Sequence, residues 1–159
     1  DAVSILFSDI VGFTDLCSKV HPQKVCRMLD ELYTVFDTLS SAFDVYKVGT
    51  IGDAYMIAGG IIGDKEAHAT AHGGHRGDLG QSVLLLSVRA PHNGEALCIR
   101  IGIHSGPAMT GVLGTKMPKF CFFGDTVNTA SRMESSGVEG EIQVSASTAA
   151  LLSEQGYTP

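Results

Sequence analysis

Two aspartates follow segments that could bring them to one place. Asp9 ends the apolar run VSILFS (residues 3–8), and Asp53 closes the segment GTIGD (49–53). Paired carboxylates suit hard divalent cations such as Mg²⁺, which keep part of their water and draw other ligands from phosphate oxygens. Two such ions ~4 Å apart can stabilise both the attacking and the leaving oxygen of a phosphoryl displacement. After Asp9 runs Ile10-Val11-Gly12-Phe13-Thr14, a tight turn into a helix. The main-chain N–H groups of Val11, Gly12, Phe13 and Thr14 can cradle terminal phosphates there. Each aspartate also has a simpler reading, as a cap at a strand end or as a turn residue in a GD pair.

A second pair lies in DTVNTASRMESSG (125–137), where Asn128 and Arg132 are four apart and share one face of a helix. An amide can orient a sugar, and a guanidinium can hold a phosphate oxygen and stabilise transition-state charge. Spacing alone favours the plainer alternative, an exposed ion pair of Arg132 with Glu134 or Glu139. His68, His72 and His75 also fall at near-helical spacing, but Gly73-Gly74 interrupts them. We read that stretch as a solvated helix or loop rather than a metal site.

The elements that must carry these residues can be read from periodicity. Residues 3–8 form a buried strand. His21-Pro22 opens a helix in which Val25, Met28, Leu29, Leu32, Val35, Phe36 and Leu39 recur on one face. A hairpin follows, with strands over 43–48 and 53–58 and a turn over 49–52. Residues 64–90 read as a helix, weak over the Gly-rich 72–80 and stopped by Ala90-Pro91. A strand over 97–104, a turn at 105–107 and a partner strand over 108–113 come next. A helix over 125–134, a strand over 141–144 and a Ser145-capped helix over 145–152 complete the order. The pattern is a βαββαβ core with additions. It predicts an α+β sandwich, ferredoxin-like, in which strands one and three are neighbours and helices cover one face of an antiparallel or mixed sheet.

The chain has 159 residues, 44% of them hydrophobic and 18% charged, which fits a single domain over 1–159. A formal charge of −6 argues against a nucleic-acid surface, which needs a basic stripe. It leaves phosphorylated substrates open, because bound metal ions invert the local field. No apolar run approaches membrane-spanning length, so no membrane contact is expected of this domain, and any anchor would lie outside it. Cys17, Cys26, Cys98 and Cys121 form no CxxC pair, and reduced thiols of a cytoplasmic domain are the expected reading.

Four segments taken together resemble the class III nucleotidyl cyclases: FSDIVGFT (7–14), TIGDAYM (50–56), RIGIHSGP (100–107) and GDTVNTASRMESSG (124–137). The resemblance implies domains that work as head-to-tail dimers with composite active sites. It implies that Asp9 and Asp53 bind two Mg²⁺ or Mn²⁺ ions, with Ile10 adding a main-chain carbonyl. It implies that Asn128 orients the ribose and Arg132 stabilises the phosphorus, both reaching the nucleotide from the other subunit. The reaction would be attack of the ribose 3′-hydroxyl on the α-phosphorus with loss of pyrophosphate.

The segment KMPKFCFFGD (116–125) resembles the guanylyl branch, which makes GTP the expected substrate. Cys121 occupies the place where adenylyl enzymes carry Asp, and Lys119 the place of a guanylyl Arg. One position departs from that branch. Lys47-Val48-Gly49-Thr50 has Gly49 where a guanine-reading Glu is expected, and loss of base-edge pairing costs ~1–3 kcal/mol of discrimination. Gly49 therefore keeps relaxed specificity or adenylyl activity in play, as well as a catalytically weak partner domain in a homodimer or heterodimer. The family's final hairpin, with its triphosphate Lys, is absent from the sequence in hand. Enzymes that join two nucleotides share the core, but their Gly-Gly-acidic-acidic-Phe turn is replaced here by TIGDA.

Overall fold

The computed structural model describes residues 2–60 and 88–154. The sequence assignments to 61–87, including His68, His72 and His75, lie outside the described residues, as does the chain after 154. Strand β1 (Ala2–Ile10) leads through helix α1 (Phe13–Lys19) to the long helix α2 (Pro22–Ala42). Strands β2 (Tyr46–Ile51) and β3 (Ala54–Gly59) form a hairpin, followed after the undescribed segment by β4 (Ile99–Pro107), β5 (Met109–Leu113) and β6 (Lys119–Phe123). Helix α3 (Asp125–Ser135), strand β7 (Ile142–Val144) and helix α4 (Ala146–Glu154) end the described chain. Among the described residues no helix is long and apolar enough to cross a membrane.

The main sheet has the order β2-β3-β1-β4-β7. β1 is antiparallel to both β3 and β4, while β7 joins β4 in parallel. This is the expected mixed sheet, with strands one and three side by side. β1 lies at its centre and is buried on both faces, which is why its sequence is almost continuously apolar. Leu6 and Ile10 enter one core with Val25, Met28, Leu32 and Phe36 of α2. Val3, Ile5 and Phe7 enter a second core with Met56, Phe122 and Ala130.

The helices are distributed more widely than one face. α2 covers the Leu6 face, and α4 reaches the same side through Thr148, whose Oγ1 donates to Ser105 Oγ at 3.1 Å. α3 lies on the opposite face, through Ala130, together with the β5–β6 ribbon, through Phe122. Its docking is close: a Cβ added at Gly102 of β4 would stand 1.9 Å from the Glu134 main-chain nitrogen.

Several boundaries differ from the sequence reading. The first hairpin strand starts at Tyr46 rather than Phe43, because Asp44 adopts φ 50 and separates α2 from the strand. Gly49 belongs to β2 rather than to the turn. It follows a β-bulge at which the register passes from Lys47↔Ile57 to Gly49↔Met56, leaving Val48 as the extra residue. Residues 88–90 are not helical. Leu97 N–H donates to the Val88 carbonyl at 2.9 Å and Ala90 N–H to Glu95 at 2.8 Å, closing a tight loop around Pro91. β4 runs through the expected turn to Pro107, because those residues pair with Ala2, Val3 and Ser4 of β1. β5 does not partner β4. It pairs with β6, a strand within a segment first read only as a base-recognition sequence, in a separate two-stranded ribbon.

The expected helix starts are built as the sequence indicates. His21 caps α2, its ring nitrogen accepting from Gln23 N–H at 3.4 Å, with Pro22 in the first turn. Ser145 Oγ accepts from Thr148 N–H at 3.3 Å and caps α4.

Candidate active site

Asp9 reaches the end of β1 where Ser8 stands opposite Tyr55 of β3. Asp53 immediately precedes β3 in the turn after Gly52. The antiparallel register thus puts both aspartates at the same end of adjacent strands. Their carboxyl groups come within hydrogen-bonding reach, and the Asp9 pKa rises from 3.8 to about 6. Burial is the largest cause, followed by the hydrogen bond with Asp53, the charge of Asp53 and the charge of Glu134, with Arg100 opposing them. Two half-buried carboxyls that repel each other and hold a proton are a site that a divalent cation would relieve. Among the described residues no group of three or more His, Cys, Asp or Glu is placed to hold a metal ion, so protein side chains alone would supply only Asp9 and Asp53 here. The donor set fits a hard cation that completes its shell with water and phosphate oxygens.

Ile10 buries its side chain in the core, so any contribution it makes is through main chain. The neighbouring turn only partly matches the expected phosphate cradle. Val11 N–H is committed to the Cys98 carbonyl at 3.0 Å and is not free for a ligand. Gly12 takes the left-handed conformation, φ 71, and no side chain caps α1. The first N–H groups of α1, at Phe13 and Thr14, therefore lack intrahelical partners.

Two residues that the sequence reading did not single out shape this end of the sheet. Arg100 stands directly across from Asp9 in the β1–β4 register. Its Nη2 lies 3.7 Å from Asp9 Oδ2, and its Nε donates to Glu134 Oε1 at 2.8 Å. Tyr33 of α2 donates its hydroxyl to the Gly52 carbonyl at 3.1 Å. Burial, and then the charges of Asp53 and Asp9, raise the Tyr33 pKa and keep that hydroxyl a donor. Arg100 lies inside the RIGIHSGP segment, but only the strand register shows which residue it faces.

Asn128 and Arg132 occupy α3 four residues apart, as expected, and both are exposed. The buried side of that helix is carried by Thr126, Ala130 and Glu134. The ion pair of Arg132 with Glu134 or Glu139 does not form, since Glu134 is taken by Arg100. Among the described residues Arg132 and Asn128 have no side-chain partner within the chain.

The base-recognition positions lie on β2 and β6. Tyr46 of β2 meets Phe120 edge-on at 5.7 Å and Phe122 at 6.4 Å, which brings the two strands alongside each other. Lys119 is exposed, and Cys121, half-buried, turns its thiol toward the Lys119 carbonyl at 3.6 Å. Gly49 has φ 152 and nothing within 4 Å of where a Cβ would stand. Space for a side chain exists at position 49, but the backbone there is one that L-residues rarely adopt. Beside it, Lys47 Nζ contacts both Asp37 oxygens, at 2.7 and 2.9 Å, and lies 5.1 Å from the Tyr55 ring centroid.

The sequence and fold match known proteins along the whole chain. The sequence model of the adenylate and guanylate cyclase catalytic domain matches residues 1–159, and the chain belongs to that family. It is 45% identical over 157 residues to the guanylate cyclase soluble subunit beta-2 of Rattus norvegicus, covering 99% of this chain and 23% of that protein. It is 49% identical over 158 residues to the human atrial natriuretic peptide receptor 2, covering 98% of this chain and 15% of the receptor. The chain thus spans less than a quarter of each of these relatives. Among solved structures, the guanylate cyclase domain of RhGC from Catenaria anguillulae in complex with GTP superposes with a TM-score of 0.83 at 38% identity. That match covers 96% of this chain and 82% of the other.

Proposed function

We propose that the chain is the catalytic domain of a guanylyl cyclase, converting GTP to 3′,5′-cyclic GMP and pyrophosphate at composite sites of a head-to-tail dimer. The observation that carries this reading is the division of the site. Asp9 and Asp53 meet at one end of the sheet, while Asn128 and Arg132 stand exposed on α3 without side-chain partners among the described residues.

In this reading Asp9 and Asp53, with the Ile10 carbonyl, hold two Mg²⁺ or Mn²⁺ ions. When bound, the ions lower the pKa of the 3′-hydroxyl and neutralise the leaving pyrophosphate. The turn at Gly12, Phe13 and Thr14 offers main-chain donors to the phosphates. Asn128 of a second domain orients the ribose, and its Arg132 stabilises the charge that develops on the α-phosphoryl oxygens. The 3′-oxygen forms its bond to the α-phosphorus as the bond to the β-phosphate oxygen breaks, and the hydroxyl proton passes to solvent. Exposed apolar side chains on the β5–β6 ribbon, Met109, Val112, Leu113 and Met117, supply surface for the second domain.

Base choice falls to Lys119, Cys121 and position 49. Gly49 supplies no acceptor for the guanine edge, which favours weakened selection of GTP over ATP as a second reading. Turnover of both nucleotides with Mn²⁺ tests the assignment. GTP is expected to be the better substrate by less than the ~10²-fold that one intact pair of base-edge contacts can supply. Asp53→Asn should lower turnover at least ~10²-fold. Equal turnover of GTP and ATP would remove the guanylyl assignment, and an active Asp53→Asn chain would remove the metal role.

A further inference from the structure

Asp53 stands in a two-residue turn after Gly52, whose φ is 66. Glycine has the widest backbone freedom of any residue. On the Gly52 side, then, little within the turn itself resists rotation of the peptide plane between Gly52 and Asp53. Tyr33 reaches that plane, its hydroxyl donating to the Gly52 carbonyl at 3.1 Å. Among the described residues no other side chain hydrogen-bonds to the main chain of this turn.

The Tyr33 ring is itself braced, 5.7 Å from the ring of the fully buried Tyr55. One helical turn further along α2, Asp37 accepts from the Tyr55 hydroxyl and from Lys47. The helix thus grips the hairpin at its strands through Asp37 and at its turn through Tyr33.

We propose that Tyr33 is a positioning residue, whose hydrogen bond to the Gly52 carbonyl locks the Gly52–Asp53 peptide so that the Asp53 carboxylate faces Asp9. This inference rests on the reading of Asp9 and Asp53 as a metal pair. Tyr33→Phe removes the hydroxyl and keeps the ring. Tyr55→Phe removes a hydroxyl from the same contact between helix and hairpin but leaves the turn untouched. Mn²⁺ binding without nucleotide, followed by the electron paramagnetic resonance signal of the free ion, reads the site directly.

Tyr33→Phe is expected to weaken Mn²⁺ binding roughly fivefold, the factor that one neutral hydrogen bond supplies. Tyr55→Phe should stay within about twofold of the unaltered chain even though it lowers the unfolding midpoint. Unchanged binding in Tyr33→Phe would overturn the proposal, as would equal weakening in both variants, which would indicate general loosening. Asp53→Asn separates the two levels of the argument. If Asp53→Asn loses Mn²⁺ and Tyr33→Phe does not, the positioning role alone falls. If Asp53→Asn binds Mn²⁺ like the unaltered chain, the metal pair falls and the positioning role with it.

Discussion

At the residue scale the site is governed by the cost of holding Asp9 and Asp53 together. Asp9 titrates at about 6 instead of 3.8, so below that pH a metal ion must displace its proton. Mn²⁺ affinity should therefore fall about tenfold per pH unit below 6 and level off above it. A binding titration from acid to neutral pH checks this, and a flat profile across pH 5 to 7 would contradict it. The same shift acts on metal-free stability. Below 3.8 both folded and unfolded chains carry the proton. Between 3.8 and about 6 only the folded chain keeps it, so this group's contribution to stability declines as pH rises through that window. Asp37 has the opposite sign. Burial pushes its carboxyl up, but hydrogen bonds from Lys47 and Tyr55 outweigh that and hold it below the usual range. Its contribution is present at neutral pH and lost in acid, and is small because the Lys47–Asp37 pair is partly exposed.

The two aspartates were legible in the sequence because each closes or opens a strand, where a side chain points into a shared edge. Arg100 was not, since its facing Asp9 depends on a register that the alternation of RIGIHS leaves free. Tyr33 looked like one more residue of an amphipathic helix. Only the hairpin folded over α2 shows what its hydroxyl meets.

At the element scale the decisive contact is α3 against β4. Gly102 allows the α3 backbone to lie directly on the strand. Gly102→Ala should cost about 3 kcal/mol or more, because the added methyl meets main chain that cannot rotate away. Gly106→Ala should cost clearly less, since its methyl meets the Thr126 hydroxyl at 2.9 Å, a side chain with other rotamers. Urea unfolding of both variants checks the order, and equal losses would contradict it. The strands read best in the sequence were those with a buried, nearly unbroken apolar run, such as β1. β6 was missed because Lys119-Phe120-Cys121-Phe122-Phe123 follows a Gly- and Pro-containing loop and shows little alternation. The bulge at Val48 was hidden because Gly49 beside a GD turn reads naturally as part of that turn.

At the scale of the whole molecule the proposed function gives the chain both halves of a site and assigns them to different elements. The Asp9 and Asp53 carboxyls gather at an end of the main sheet. The α3 face that presents Asn128 and Arg132 has its polar groups turned outward, with Glu134 drawn inward to Arg100. On the proposed composite reading, one sequence is complete as an inventory and still works only with a second copy. The inventory was visible from the motifs, whereas the lack of a side-chain partner for Arg132 among the described residues was not.

Mixing two inactive variants tests that claim most directly. On the proposed reading Asp9→Asn lacks the metal half, and Arg132→Ala lacks the transition-state half. In a mixed dimer, both substitutions fall in one composite site and leave the other site intact. With random pairing, half of the dimers are mixed and each has one intact site of two, so equal mixing should restore about a quarter of the activity of the unaltered chain. If the mixture stays as inactive as its components while forming dimers, each site lies within a single chain and the composite account is wrong.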